Sequence, residues 1–116
     1  MTNPNVEDLV NAEKAAAITR IDALRAEFDE VVAGTSDANT DDEHDPEGST
    51  IAFERARASA LLSQACAYLE ELERAQQRIT DGTYGACERC GSAIPDERLA
   101  ARPVARTCVH CQPLTR

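Results

Sequence analysis

The chain has 116 residues, of which 42% are hydrophobic but only 3% aromatic, and it carries a formal net charge of −9. So short a chain buries a low fraction of its surface, so this composition excludes a large globular core and calls for a helical seam, a metal, or both. The acidic balance disfavours duplex DNA as the main partner, because phosphate contacts need a basic face, and favours a protein with a basic surface. The plainer reading of the charge is that it keeps the chain soluble.

The start, Met1-Thr2-Asn3-Pro4, has neither a basic n-region nor an apolar h-region, and no apolar run approaches a membrane span. A cytoplasmic protein is expected. Asn3-Pro4 or Asn5 can open a first helix, with Glu7 and Asp8 near its positive end. Val10, Ala17, Ile21, Leu24, Phe28 and Val31 then recur in steps of mostly three and four, interrupted only by Lys14. This is the seam of an amphipathic or coiled-coil helix. The pattern stops at Gly34.

The connection, about residues 34–49, is long for a helical hairpin. It holds Asp37, Asp41, Asp42, Glu43, Asp45 and Glu47 and no Lys or Arg, so the expected tip is strongly negative. It reads either as a solvated linker or as an acidic probe at the end of a rod. A calcium loop beginning Asp37-x-Asn39-x-Asp41 fails, because Asp42 stands where the turn needs glycine and Gly48 where the bidentate glutamate belongs.

A second stripe runs Ile51, Ala58, Leu62, Ala65, Leu69, Leu72, Ile79, with Arg55 and Gln76 filling its gaps in register. Glu70, Glu71, Glu73, Arg74 and Arg78 read as a solvated flank, and Gly82 ends the pattern. Cys66 on this helix reads as a small, partly buried apolar residue, with a redox role as the alternative. Two long helices with matching seams pack antiparallel, each covering the other's stripe. The expected fold is mainly α: a coiled-coil hairpin over residues 1–82, then a small four-cysteine finger over 83–116.

That finger rests on Cys87-Glu88-Arg89-Cys90 and Cys108-Val109-His110-Cys111, two C-x2-C pairs with 17 residues between them. Two intervening residues let a tight knuckle aim both thiolates at one ion, and Gly91 supplies backbone freedom just after the second cysteine. Cys87, Cys90, Cys108 and Cys111 are thus the expected ligands of one structural zinc, with no position left open for water. Redox disulfides or an iron–sulfur cluster are the alternatives, disulfides being disfavoured in the cytoplasm. His110 is expected to point outward. No nucleophile–base pair, phosphate loop or H-E-x-x-H motif is present, so an enzyme is not expected.

Gly82-Thr83-Tyr84-Gly85-Ala86-Cys87-Glu88-Arg89-Cys90-Gly91, followed by Ile94, Arg98-Leu99, Ala101-Arg102-Pro103 and the Cys108/Cys111 pair, closely resembles the zinc finger of the DksA/TraR family. The acidic stretch Asp42 to Gly48, opening into a long helix, is similar to shorter members. The resemblance covers roughly residues 41–116. It implies a protein that binds bacterial RNA polymerase, docks its finger at the rim of the secondary channel and inserts an acidic hairpin tip, here Asp41, Asp42, Asp45 and Glu47, toward the catalytic magnesium. It also implies altered open-complex stability, often together with the alarmone ppGpp, and a monomer without sequence-specific DNA contact. Arg98 and Arg102 match the basic residues of ppGpp-responsive members. Three features depart from the family pattern. Asp45-Pro46-Glu47-Gly48-Ser49-Thr50 does not restore the second aspartate or the alanine of the Asp-x-x-Asp-x-Ala tip. The longer segments many members carry before the first helix and after the finger are lacking. Glu70, Glu71 and Glu73 crowd the helix near those arginines, and Gln112 follows the last ligand. The alternative functional reading is a zinc-finger adaptor for another protein, and a DNA-binding finger is the third.

Overall fold

The structure, a computed structural model, describes residues 4–38 and 46–112. Asp41, Asp42, His44 and Asp45 lie outside the described residues, as does the side chain of Glu47. Helix α1 spans Pro4–Ala38, α2 spans Pro46–Asp81 and the short α3 spans Asp96–Ala101, followed by a single 3-10 turn, Val109–Cys111. Among the described residues there is no β-strand, only one isolated antiparallel bridge between Ala86 and Ala93. The fold is a long helical hairpin carrying a four-cysteine finger.

The helix ends differ from the sequence reading for a physical reason. A glycine stops a helix by taking a positive φ, and Gly34 does not take one, whereas Gly82 does, at 81°. In mid-helix a glycine costs only about 1 kcal/mol, so α1 runs on through Gly34 to Ala38. At the other side Pro46 opens α2, where its fixed φ and missing N–H suit the first turn.

The chain divides into two compact units. One is built from residues Ala16–Tyr68. In it Ala17, Ile21, Leu24, Ala58 and Ala65 are buried, while Phe28, Val31, Ile51 and Leu62 are half-buried. Ala17 and Arg20 of α1 share a shallow groove with Leu61, Gln64, Ala65 and Tyr68 of α2. Alanines at the seam suit close approach, since interaxial distance follows the side chains at the contact.

The other unit joins Met1–Ala15 with Leu69–Arg116. Val10, Leu72 and Ala75 are wholly inaccessible in it. Ala75 lies beside the expected stripe, because a 3.6-residue period buries an arc that takes in positions 72, 75, 76 and 79. The polar intrusions in the two stripes meet: Lys14 Nζ donates to Gln76 Oε1 at 3.0 Å, and Gln76 Nε2 donates to Asn11 Oδ1. Arg55, the other gap, is exposed.

Leu72 and Leu69 therefore differ as truncation sites. Leu72→Ala should destabilise the metal-loaded protein toward the upper part of the range for buried leucines, about 2–5 kcal/mol, and the half-buried Leu69→Ala toward its lower end. Urea unfolding followed by circular dichroism measures both, and equal losses would place the helix phase elsewhere.

Candidate metal centre

The finger begins where α2 stops. Gly82 N–H bonds to Ile79 O at 3.2 Å, and Thr83 N–H reaches back to Arg78 O at 2.9 Å. This is a Schellman closure, with Gly82 in the left-handed conformation it requires. Tyr84 follows, and its hydroxyl donates to Pro103 O at 2.8 Å, tying the entry of the finger to its far loop. The Arg78 guanidinium lies over the Tyr84 ring, 6.0 Å from its centroid. Burial lowers the Arg78 pKa, opposed chiefly by Glu88.

Backbone hydrogen bonds then build the first knuckle. Ile94 N–H donates to Gly85 O, Cys87 N–H to Ser92 O and Gly91 N–H to Cys87 O, at 2.7, 2.8 and 2.9 Å. Gly91 closes this turn with φ 79°, which a side chain would strain. The second knuckle is the 3-10 turn, in which Cys111 N–H donates to Cys108 O at 3.1 Å. Glu88 N–H donates to Arg106 O at 2.9 Å and joins the first knuckle to the strap leading into the second. Between them α3 buries Leu99, which joins Ile94, Ala105, Cys87 and Cys108 in one small cluster, with Tyr84 and Cys111 packed against it. Two of the five buried members are themselves cysteines, so the apolar core alone is meagre.

The four thiols converge. The Sγ atoms of Cys87, Cys90, Cys108 and Cys111 all lie within 4.8 Å of one another, and those of Cys90 and Cys108 are 3.8 Å apart. Thiolates about 2.3 Å from a tetrahedral zinc sit about 3.8 Å from each other, so the set has the size of one zinc shell. A disulfide needs about 2.05 Å, and all five cysteines are free. The electrostatics point the same way. Backbone N–H groups of Cys90 and Cys108, and then Arg89, whose N–H lies 3.4 Å from the sulfur, hold the Cys87 thiol down to about 6. The Ser92 hydroxyl and backbone lower Cys90. Hydrogen bonding with the Cys108 and Cys87 thiols, together with burial, pushes Cys111 up to about 12. One thiolate is thus prepared, and another is costly without a cation to offset the crowding. The residues fit a single structural Zn2+, held by four protein sulfurs with no place for an activated water. His110, between two ligands, is exposed, and Cys66 is half-buried on α2, apart from the cluster.

Arg98 and Arg102 part company. Arg98 is half-buried and donates Nε to Thr107 O at 2.9 Å, fastening α3 to the strap before Cys108. Arg102 is exposed, and its backbone N–H caps Arg98 O. The Arg106–Glu88 pair, at 4.0 Å and largely exposed, adds little. The ties through Tyr84 and Arg98 escape sequence reasoning, since each ends on a backbone carbonyl that no residue type announces.

Residues 82–113 match the prokaryotic dksA/traR C4-type zinc finger. The described structure aligns with that of transcription factor DksA2 from Pseudomonas aeruginosa, with TM-score 0.76 and 25% identity over 90% of this chain and 75% of that one. Its finger is thus of the DksA/TraR C4 type. General stress protein 16O of Bacillus subtilis is 40% identical over 75 residues, 65% of this chain and 46% of that protein. The RNA polymerase-binding transcription factor DksA of Escherichia coli K12 is 37% identical over 46 residues, 40% of this chain and 30% of that factor. The shared stretches thus span less than half the length of these two proteins. Among the described residues no helix is long and apolar enough to cross a membrane.

Removing the metal should unfold the module that it organises, because zinc binding and folding are coupled. Cys90→Ser, or chelation of the parent, should broaden or erase the amide resonances of residues 83–112. Those of 6–15 and 69–81, which share that unit, should loosen with them, while Ala16–Tyr68 stays helical. An ordered finger after chelation would contradict this.

Proposed function

We propose that this protein is a non-enzymatic transcription regulator that binds RNA polymerase through the secondary channel, with the zinc finger as docking base and the acidic connection between α1 and α2 as the effector. One observation carries the reading: the chain shares 37% identity over 46 residues with a protein named RNA polymerase-binding transcription factor DksA. The likeness to DksA2 over 90% of this chain supports extending it to hairpin and finger together. A closed four-thiolate site gives the metal no catalytic opening, which supports a structural role.

On this reading hairpin and finger, residues 1–82 and 83–116, have separate tasks. The finger supplies affinity. Asp41, Asp42, Asp45 and Glu47 supply output, because carboxylates brought close to a bound cation act where the local field is strongest. Arg102, being exposed, is the proposed contact for polymerase or for ppGpp, while Arg98 serves by fastening the finger. The protein would act as a cytoplasmic monomer and without reading DNA sequence, consistent with its net charge of −9.

Replacing Asp45 with Asn and Glu47 with Gln keeps shape and removes two charges. The double variant should bind cognate RNA polymerase within several-fold of the parent and lose its effect on reconstituted transcription. Unchanged output would reduce the connection to a linker. Collapse of binding with the fold intact would make it a docking surface and favour an adaptor for a basic partner. A parent that binds no polymerase at all would overturn the reading.

A further inference from the structure

Lys14 is the single lysine of the sequence; every other basic residue except the two histidines is arginine. It is not on the surface stripe where lysines usually sit. It occupies the seam position between Val10 and Ala17, both buried, and is itself half-buried. Its ammonium donates to Gln76 Oε1 at 3.0 Å, across 62 residues of sequence. The same amide uses its other end to donate to Asn11 Oδ1. Both ends of Gln76 are therefore committed, and turning the amide over would break both bonds at once. Arginine would suit this place poorly, since its planar fork carries five donors, whereas lysine sets a compact charge on a flexible apolar stem.

The rest of the seam discriminates weakly. Ala17, Ala58, Ala65 and Ala75 are buried and nearly featureless, and both stripes advance by three and four, so a slip of one heptad again lays apolar on apolar. The polar layer breaks that degeneracy. In one direction the slip sets Lys14 against Leu69, and in the other it sets Gln76 against Ile21. Either arrangement strips a half-buried seam polar group of its partner and sets it against an apolar side chain, at some cost. A single polar residue in an apolar seam specifies register in coiled coils in this way, at some expense in stability. Register has a local consequence here. Val6, two turns before Lys14, lines a groove of about 370 Å³ with Tyr84, Ile94 and Leu99 of the finger.

We propose that Asn11, Lys14 and Gln76 form a polar key that sets the register of α1 against α2 beside the zinc module, and thereby selects Val6 as the α1 residue that meets the finger. The key is independent of what the protein binds.

Two paired variants of the full, zinc-loaded chain test it. Lys14→Leu with Gln76→Leu makes the layer apolar, and Lys14→Gln with Gln76→Lys exchanges the partners. Two-dimensional 1H–15N spectra count conformers. The apolar pair should melt no lower than the parent, yet show a second set of amide signals for residues 6–15 and 69–81, with the minor form at about a tenth of the population or more. The exchanged pair should return to one set. One set in the apolar pair, with parental shifts away from the substitutions, would overturn the proposal, because the seam would then set its own register. So would an apolar pair that unfolds or melts lower, which would make the layer a source of stability. An exchanged pair with multiple sets would overturn it as well, since complementarity would not be what matters.

Discussion

Four sulfurs converging on one point is the constraint from which the base of this protein follows. The finger has three apolar residues of its own in the buried cluster, Ile94, Leu99 and Ala105, and Cys87 and Cys108 complete it. So small a core does not hold thirty residues together in water, where ordering each residue costs about 1–2 kcal/mol in backbone freedom alone. The opposed shifts of Cys87 and Cys111 express the same fact electrostatically. One sulfur is readied by backbone N–H groups, and another resists ionisation until a cation is present. Metal and apolar cluster are therefore a single core. The backbone turns, the Tyr84–Pro103 tie and the Arg98–Thr107 tie aim sulfurs at it.

The hairpin answers the same shortage of large side chains differently. Its buried positions are rich in alanine, which contributes little area but permits close helices. What alanine lacks is shape, and the Lys14–Gln76–Asn11 layer supplies direction where packing does not. An acidic, aromatic-poor chain thus achieves order by placing a few strong, directional interactions within otherwise plain surfaces.

How much of this was legible in the sequence depends on the range of the interaction. The ligands could be read because each knuckle is local, with two residues between cysteines, and its shape follows from chain geometry. The seam could be read because its period is local too, and Val10, Ala17, Ile21, Leu24, Ala58, Ala65 and Leu72 are buried as the stripes imply. The end of α1 was misread because Gly34 breaks a helix only if its backbone turns left-handed, which its identity permits but does not compel. Lys14 reads as an interruption and Gln76 as a polar filler of its stripe, since their meaning lies in a partner 62 residues away. Ala75, wholly buried, stands outside the stripe read from the sequence because alanine signals burial weakly. The pattern also drew a boundary near residue 82, where the chain changes texture. The packing instead gathers the start of α1, the end of α2 and the finger into one unit.

The Schellman closure at Gly82 has a bearing on how such fingers can be exchanged. The last carbonyls of α2, on Arg78 and Ile79, find their donors in Gly82, Thr83 and Tyr84, and the Arg78 side chain lies on the Tyr84 ring. A graft cut at the texture change would leave those carbonyls bare on the donor rod and deprive the transplanted finger of its footing. The portable cassette is longer than the cysteine motif suggests. Moved onto another helix, it should start no later than Arg78, so that the arginine lying over Tyr84 travels with the finger. Lineages that shuffle this finger among rods of different length would then be expected to break the chain upstream, within α2, and not at the glycine where the composition changes.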